Sequence, residues 1–120
     1  MPPTHDPQLL KGVLSLLLLR LLAERESYGY EVVQRLRALG LCDIAEGSVY
    51  PALSRLEREG RVQARLVASS SGPARKYYRP TPAGNQALQQ GTASWLSLAE
   101  VVNPVLLQRL PAQPAVAEDA

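Results

Sequence analysis

Glu46-Gly47-Ser48-Val49-Tyr50-Pro51-Ala52-Leu53-Ser54-Arg55-Leu56-Glu57-Arg58-Glu59-Gly60 is the stretch whose reading decides the fold. Val49, Leu53 and Leu56 recur at the spacing of a single helical face. Ser48 is read as the cap that starts this helix and Gly60 as the residue that stops it. With Ser48 as cap, Pro51 falls in the first turn, where its missing N–H has no intrahelical partner in any case. Ser48, Tyr50, Pro51, Ser54, Arg55 and Arg58 remain on the outward side. One face held in a core and another carrying hydroxyls and guanidiniums suits the major groove of B-DNA, which admits one α-helix. The same pattern fits an ordinary solvated amphipathic helix equally well.

The residues that follow shift that balance. Val62 to Ala68 alternates apolar and polar positions as a strand does, and Ser69-Ser70-Ser71-Gly72-Pro73 reads as a turn. Arg75-Lys76-Tyr77-Tyr78-Arg79-Pro80 returns as a second strand. From Gly60 to Ala99 the chain has no carboxylate, so Arg65, Arg75, Lys76 and Arg79 sit in a segment with a low electrostatic cost of approaching phosphates. Tyr77 and Tyr78 point to opposite faces of a strand, one inward and one towards the groove; Tyr78 is assigned to the groove with Arg75 and Lys76. Residues 45–79 hold seven basic and three acidic groups, whereas residues 1–44 hold five of each and residues 80–120 one basic and three acidic. A basic block between neutral and acidic flanks suits a polyanion, here double-stranded DNA.

Towards the N-terminus, Leu10, Val13, Leu14, Leu17, Leu18, Leu21 and Leu22 predict a strongly apolar helix from Gln8 to about Glu24, wide enough to face both a core and a second subunit. Ser27 is the expected cap of a second helix, Tyr28 to Leu39, closed by Gly40. Its inner face is Val32, Val33, Leu36 and Leu39, with Glu31, Gln34, Arg35 and Arg37 outward. Ile44-Ala45 is the expected short strand before the third helix. Helix, helix, helix, hairpin is the order of a winged helix-turn-helix.

Beyond Thr81-Pro82 a long helix is predicted to run to about Asn103, ending or kinking at Pro104. Leu88, Gly91, Trp95, Leu98, Val102 and Val105 form a seam along it, suited to packing against a second copy. The fold class is therefore mainly α with a small β-hairpin: a flexible N-terminus over 1–7, a winged-helix domain over 8–81, a dimerisation helix region over 82–110 and a disordered tail over 111–120.

Other functions find little support. The single cysteine, Cys42, is read as a small buried hydrophobe, and one Cys with one His forms no metal site within a chain. No Gly-rich phosphate loop or Ser-His-acid set is present, so no catalytic residue, cofactor or metal is expected. The apolar run Gly12–Leu19 is bounded by Lys11 and Arg20 at about half the ~20 residues of a membrane span, and the opening residues lack the basic region of a secretory signal. A cytoplasmic protein without membrane contact is expected. The rival from another class is a winged helix used only for protein–protein contact.

The residues Gly47 to Gly60, followed by Gly72-Pro73-Ala74-Arg75-Lys76-Tyr77-Tyr78-Arg79-Pro80-Thr81-Pro82-Ala83-Gly84, and the upstream Tyr28-Gly29-Tyr30-Glu31, resemble the PadR family of bacterial transcriptional regulators. The resemblance covers roughly residues 8–102, and the short C-terminal region is similar to that of the compact subgroup. Ser48-Val49 departs from the Thr-Leu pair more usual there, keeping a hydroxyl and an apolar residue. The resemblance implies a homodimeric repressor that binds inverted-repeat operators and is relieved by a small molecule. It makes the Tyr50-Pro51 helix the recognition helix and the Arg75–Tyr78 hairpin the wing. It also implies that Trp95 and its two-fold mate sandwich a planar aromatic effector with Leu14, Leu18 and Leu98 nearby. The competing reading is that Trp95, with Leu98 and Val102, only fills the subunit seam.

Overall fold

The structure, a computed structural model, describes residues 5–108. The chain runs α1 (Pro7–Glu24), β1 (Ser27–Tyr28), α2 (Gly29–Leu39), α3 (Glu46–Arg58), β2 (Val62–Ser69), β3 (Gly72–Pro80) and α4 (Pro82–Leu107). Its described residues divide into two compact units, the first ending at Gln89 and the second beginning at Gln90. The expected disordered tail lies outside the described residues, as do residues 1–4 of the expected flexible start.

In the first unit, α1 begins under a side-chain cap, with the Asp6 carboxylate accepting from Gln8 N at 2.9 Å. Leu14, Leu18, Leu19, Leu21 and Leu22 of α1 meet Val32, Val33 and Leu36 of α2 and Val49, Leu53 and Leu56 of α3 in one core. Burying each such side chain contributes about 1.5–3 kcal/mol, so this core sets the helix angles. Leu39, expected inward on α2, is 62% exposed, because the chain leaves the helix there through Gly40 at φ 124°.

The α2–α3 turn is tied down from both ends. Gly40 and Leu41 N–H groups return to the Arg37 and Leu36 carbonyls. The Arg37 guanidinium donates twice to the Ile44 carbonyl, at 3.2 and 3.0 Å. Ile44 is buried, but no strand forms there. The third strand is instead Ser27–Tyr28, which pairs antiparallel with β3 in the order β1-β3-β2. Two residues carry no period-2 signal, so sequence patterning does not reveal such a strand.

Ser27 is accordingly a buried strand residue and not a helix cap. Its hydroxyl donates to the Arg25 carbonyl at 3.3 Å and accepts from Arg35 at 3.0 Å. Arg35 also reaches Glu24 and the Arg25 carbonyl, so its charge is spent inside the fold.

The α4 start is locked to the end of α3. Thr81 Oγ1 donates to the Gly60 carbonyl at 2.6 Å and accepts from Gly84 N at 3.1 Å, while Thr81 N donates to the Arg61 carbonyl at 3.0 Å. Gly84 faces that same Arg61 carbonyl so closely that a Cβ would collide with it. The Thr-Pro-Ala-Gly run is thus a cap, an N-terminal proline and a close backbone approach in succession.

In the second unit α4 does not end before Pro104, one of the two outcomes expected there, but continues to Leu107. Proline removes one hydrogen bond from a helix, and exposure of the surrounding turn leaves the freed carbonyl to water.

Candidate nucleic-acid interface

α3 starts three residues earlier than expected, at Glu46, with Ala45 in place of Ser48 as its cap residue and no side-chain cap. Ser48 therefore lies within the first turn, and Pro51 is the sixth helical residue. At that position proline does cost an intrahelical bond, the one its N–H would have given to the Gly47 carbonyl.

At about 100° per residue, α3 presents three zones besides its buried stripe. Gly47, Pro51, Ser54 and Arg58 stand opposite Val49, Ala52, Leu53 and Leu56, and all four are exposed. Tyr50 and Glu57 lie on the flank nearer the hairpin, and Ser48 and Arg55 on the flank nearer α1. Contacts agree with this division. The Tyr50 ring lies directly on Gly29, where any Cβ would strike Cε1. Glu57 accepts from Lys76 Nζ at 3.1 Å. Ser48 and Arg55 line a cleft of about 420 Å³ shared with Pro7, Leu10, Lys11, Leu14 and Ser15 of α1.

Partial burial, with Glu46 next in weight, raises the Tyr50 phenol above its ordinary range, so it remains a hydrogen-bond donor at neutral pH. Tyr50 is 39% exposed, enough to offer its hydroxyl to a groove while its ring packs on α2.

In the hairpin, Arg65 pairs with Tyr77 and Ala64 with Tyr78 across β2 and β3. Tyr28, Tyr77 and Arg65 consequently share one sheet face: the two rings meet edge to face at 5.3 Å and the guanidinium lies 6.0 Å from the Tyr77 centroid. Arg75 covers the Tyr28 ring at 4.5 Å. The opposite face carries Tyr78, which is 5% exposed and belongs to the core. The assignment of Tyr78 to DNA is corrected: it is the inward tyrosine, because it opposes Ser27 and Ala64 over the helices, and the half-buried Tyr77 is the outward one.

The hairpin's own lack of carboxylates also proves incomplete as a guide. Arg65 makes a two-pronged pair with Glu26, at 2.9 and 2.7 Å, and Lys76 is paired with Glu57. The Arg65 hydrogen bonds hold the Glu26 carboxyl below its usual range, and Glu57 raises the Lys76 ammonium above its own. Both carboxylates come from distant sequence, which is why a count along the hairpin misses them. Arg75 and Arg79 are exposed, and neither makes an ion pair with a described residue.

Two of the residues expected at the ligand or subunit seam belong elsewhere. Leu18 is fully buried and Leu14 is 6% exposed, so both serve the winged-helix core, and Leu18 has no surface for a ligand. Trp95, Leu98 and Val102 are 48%, 56% and 36% exposed. Cys42, expected buried, is exposed because it follows the α2 end in the turn. Among the described residues no His, Cys, Asp or Glu cluster suits a metal, and no helix is long and apolar enough to cross a membrane.

Known proteins share this arrangement. Residues 18–90 match the model of the Transcriptional regulator PadR-like family. A PadR-like transcriptional regulator from Bacillus cereus is 40% identical with a TM-score of 0.75, the match covering 84% of this chain and 98% of that one. A PadR family regulator from Eggerthella lenta is 34% identical with a TM-score of 0.76, covering 84% of this chain and 88% of that one. A transcriptional regulator of Mycobacterium tuberculosis is 37% identical over 82 residues, 67% of this chain and 73% of its own. The chain belongs to the PadR-like family of transcriptional regulators, which are DNA-binding proteins and not enzymes.

Proposed function

We propose that this protein is a homodimeric repressor acting in the cytoplasm, which places two copies of α3 in successive major grooves of an inverted-repeat operator. The observation that carries the reading is the outward face of α3. Ser54 and Arg58 stand exposed on a helix whose opposite stripe is buried, flanked by Tyr50 on one side and Arg55 on the other. Hydroxyl and guanidinium groups on that face match base edges and phosphates, and Arg75, Arg79 and Lys76 supply the wing's positive charge. The subunit seam is the apolar side of α4, with Trp95, Leu98 and Val102. A planar aromatic effector stacking on Trp95 relieves repression.

Selection of bound duplexes from a random pool tests mode and symmetry together. Enrichment of an inverted repeat with half-sites about one helical turn apart is the expected outcome. An unenriched pool, with no salt-dependent binding, would instead favour a winged helix used only for protein contact. Quenching of Trp95 fluorescence by planar aromatics tests the effector separately, and an intact dimer that none of a diverse set quenches would restrict Trp95 to packing.

A further inference from the structure

The recognition helix has two flanks, and the wing occupies one. On the other, Lys11 and Ser15 of α1 face Ser48 and Arg55 of α3 across the 420 Å³ cleft, with Leu10 and Pro51 among its apolar walls. Its lining contains two cations and no carboxylate. Neither Lys11 nor Arg55 makes an ion pair with any described residue, whereas Lys76 and Arg65 on the wing each hold one.

We propose that this cleft is a second backbone-phosphate site, in which Lys11 and Arg55, helped by the Ser48 and Ser15 hydroxyls, hold a phosphodiester of the strand bordering the groove on the side away from the wing. The site rests on the DNA-binding reading above and extends it to a residue outside the helix-turn-helix and the hairpin. A helix in a major groove lies between two sugar-phosphate backbones, and contacts to both fix its register. The wing supplies cations for one border only. Lys11 and Arg55 are placed for the other, and without a local carboxylate nothing in the cleft competes with phosphate for them. Arg55 is thereby a phosphate contact, and base reading falls to the Ser54–Arg58 zone.

Binding of a selected duplex is measured against salt for the full chain and for Lys11→Gln, Lys11→Arg and Lys76→Gln, with phosphate-ethylation interference and mass by light scattering. Lys11→Gln should weaken binding about three- to tenfold for every duplex and flatten the log–log salt slope by about one. It should lose interference on one strand of each half-site only, while Lys76→Gln loses it on the other strand and Lys11→Arg retains both. An unchanged slope and interference pattern in Lys11→Gln, with Lys76→Gln impaired, would overturn the site and leave the DNA reading standing. So would a loss of binding in Lys11→Gln that accompanies dissociation into monomers, which would assign Lys11 to the subunit contact. Absence of salt-dependent binding by the unaltered protein would sink the DNA reading itself, and this site with it.

Discussion

α3 and α4 are both amphipathic, and they treat their apolar residues in opposite ways. α3 hides Val49, Leu53 and Leu56 within the chain's own core and leaves only its polar face to the surroundings. α4 has Gly84 as its one buried residue and leaves Leu96, Leu98, Val101, Val105, Leu106 and Leu107 each more than half exposed. An apolar surface of that extent is finished only by another surface. The contrast separates two jobs: α3 is complete within one chain and free to meet a charged ligand, whereas α4 is completed by a second copy on the reading proposed above.

The most severe way to break this contrast is on α4. Leu98→Glu with Val102→Glu places four carboxylates at a two-fold seam, and the mass at micromolar concentration should fall from dimer to monomer. Operator affinity should drop about a hundredfold as the two half-sites become independent, while circular dichroism shows the helices retained. A variant that stays dimeric would place the subunit contact elsewhere. The matching change on α3 acts within the chain. Leu53→Ala should cost about 2–5 kcal/mol in urea denaturation, because Leu53 has no exposed surface and its removal leaves a cavity. Leu96→Ala, at 58% exposure, should cost far less.

The same difference explains what the sequence made legible. The α3 stripe, the Gly40 and Gly60 stops and the hairpin alternation are local patterns, and local patterns suffice where one face meets one core. Ser27 misled because its hydroxyl, typical of a cap, is used by Arg35 from the following helix. Tyr78 misled because strand alternation separates Tyr77 from Tyr78 without telling which face is covered. That depends on which face α1 packs against, a contact made only in the folded chain. Lys76 and Arg65 were visible as charges, but their carboxylate partners stand 19 and 39 residues away, beyond any windowed reading. The cleft between α1 and α3 is legible only once the helices are packed.

Pro51 sharpens the contrast from the α3 side. As the sixth helical residue it removes the i+4 donor of the Gly47 carbonyl, a cost that a helix serving only as scaffold would avoid. Pro51→Ala restores the missing N–H and should raise stability by about 1–3 kcal/mol, read as a higher urea midpoint. The same variant should discriminate less well among operator half-sites, because Pro51 stands in the outward zone between Ser48 and Ser54. Stabilisation with unaltered discrimination would reduce Pro51 to a bystander on that face.

The smallest effect concerns the charge balance on the outward face of the hairpin. Glu26 accepts two hydrogen bonds from Arg65, which hold its carboxyl below the usual range in the folded protein. A carboxylate with a lowered folded value contributes stability above the unfolded carboxylate range and loses it as pH falls through the folded value. Between those limits the unaltered protein should lose urea resistance with acid more steeply than Glu26→Gln, and at neutral pH the two should differ little, since the pair is exposed to solvent. DNA adds a second readout with the opposite sign. Glu26 and a phosphate compete for one guanidinium, so Glu26→Gln should bind non-specific duplex a few-fold more tightly and with a steeper salt slope. If neither the acid response nor the salt slope changes, Arg65 is a structural partner of Glu26 alone, and the wing's contribution to DNA narrows to Arg75, Lys76 and Arg79.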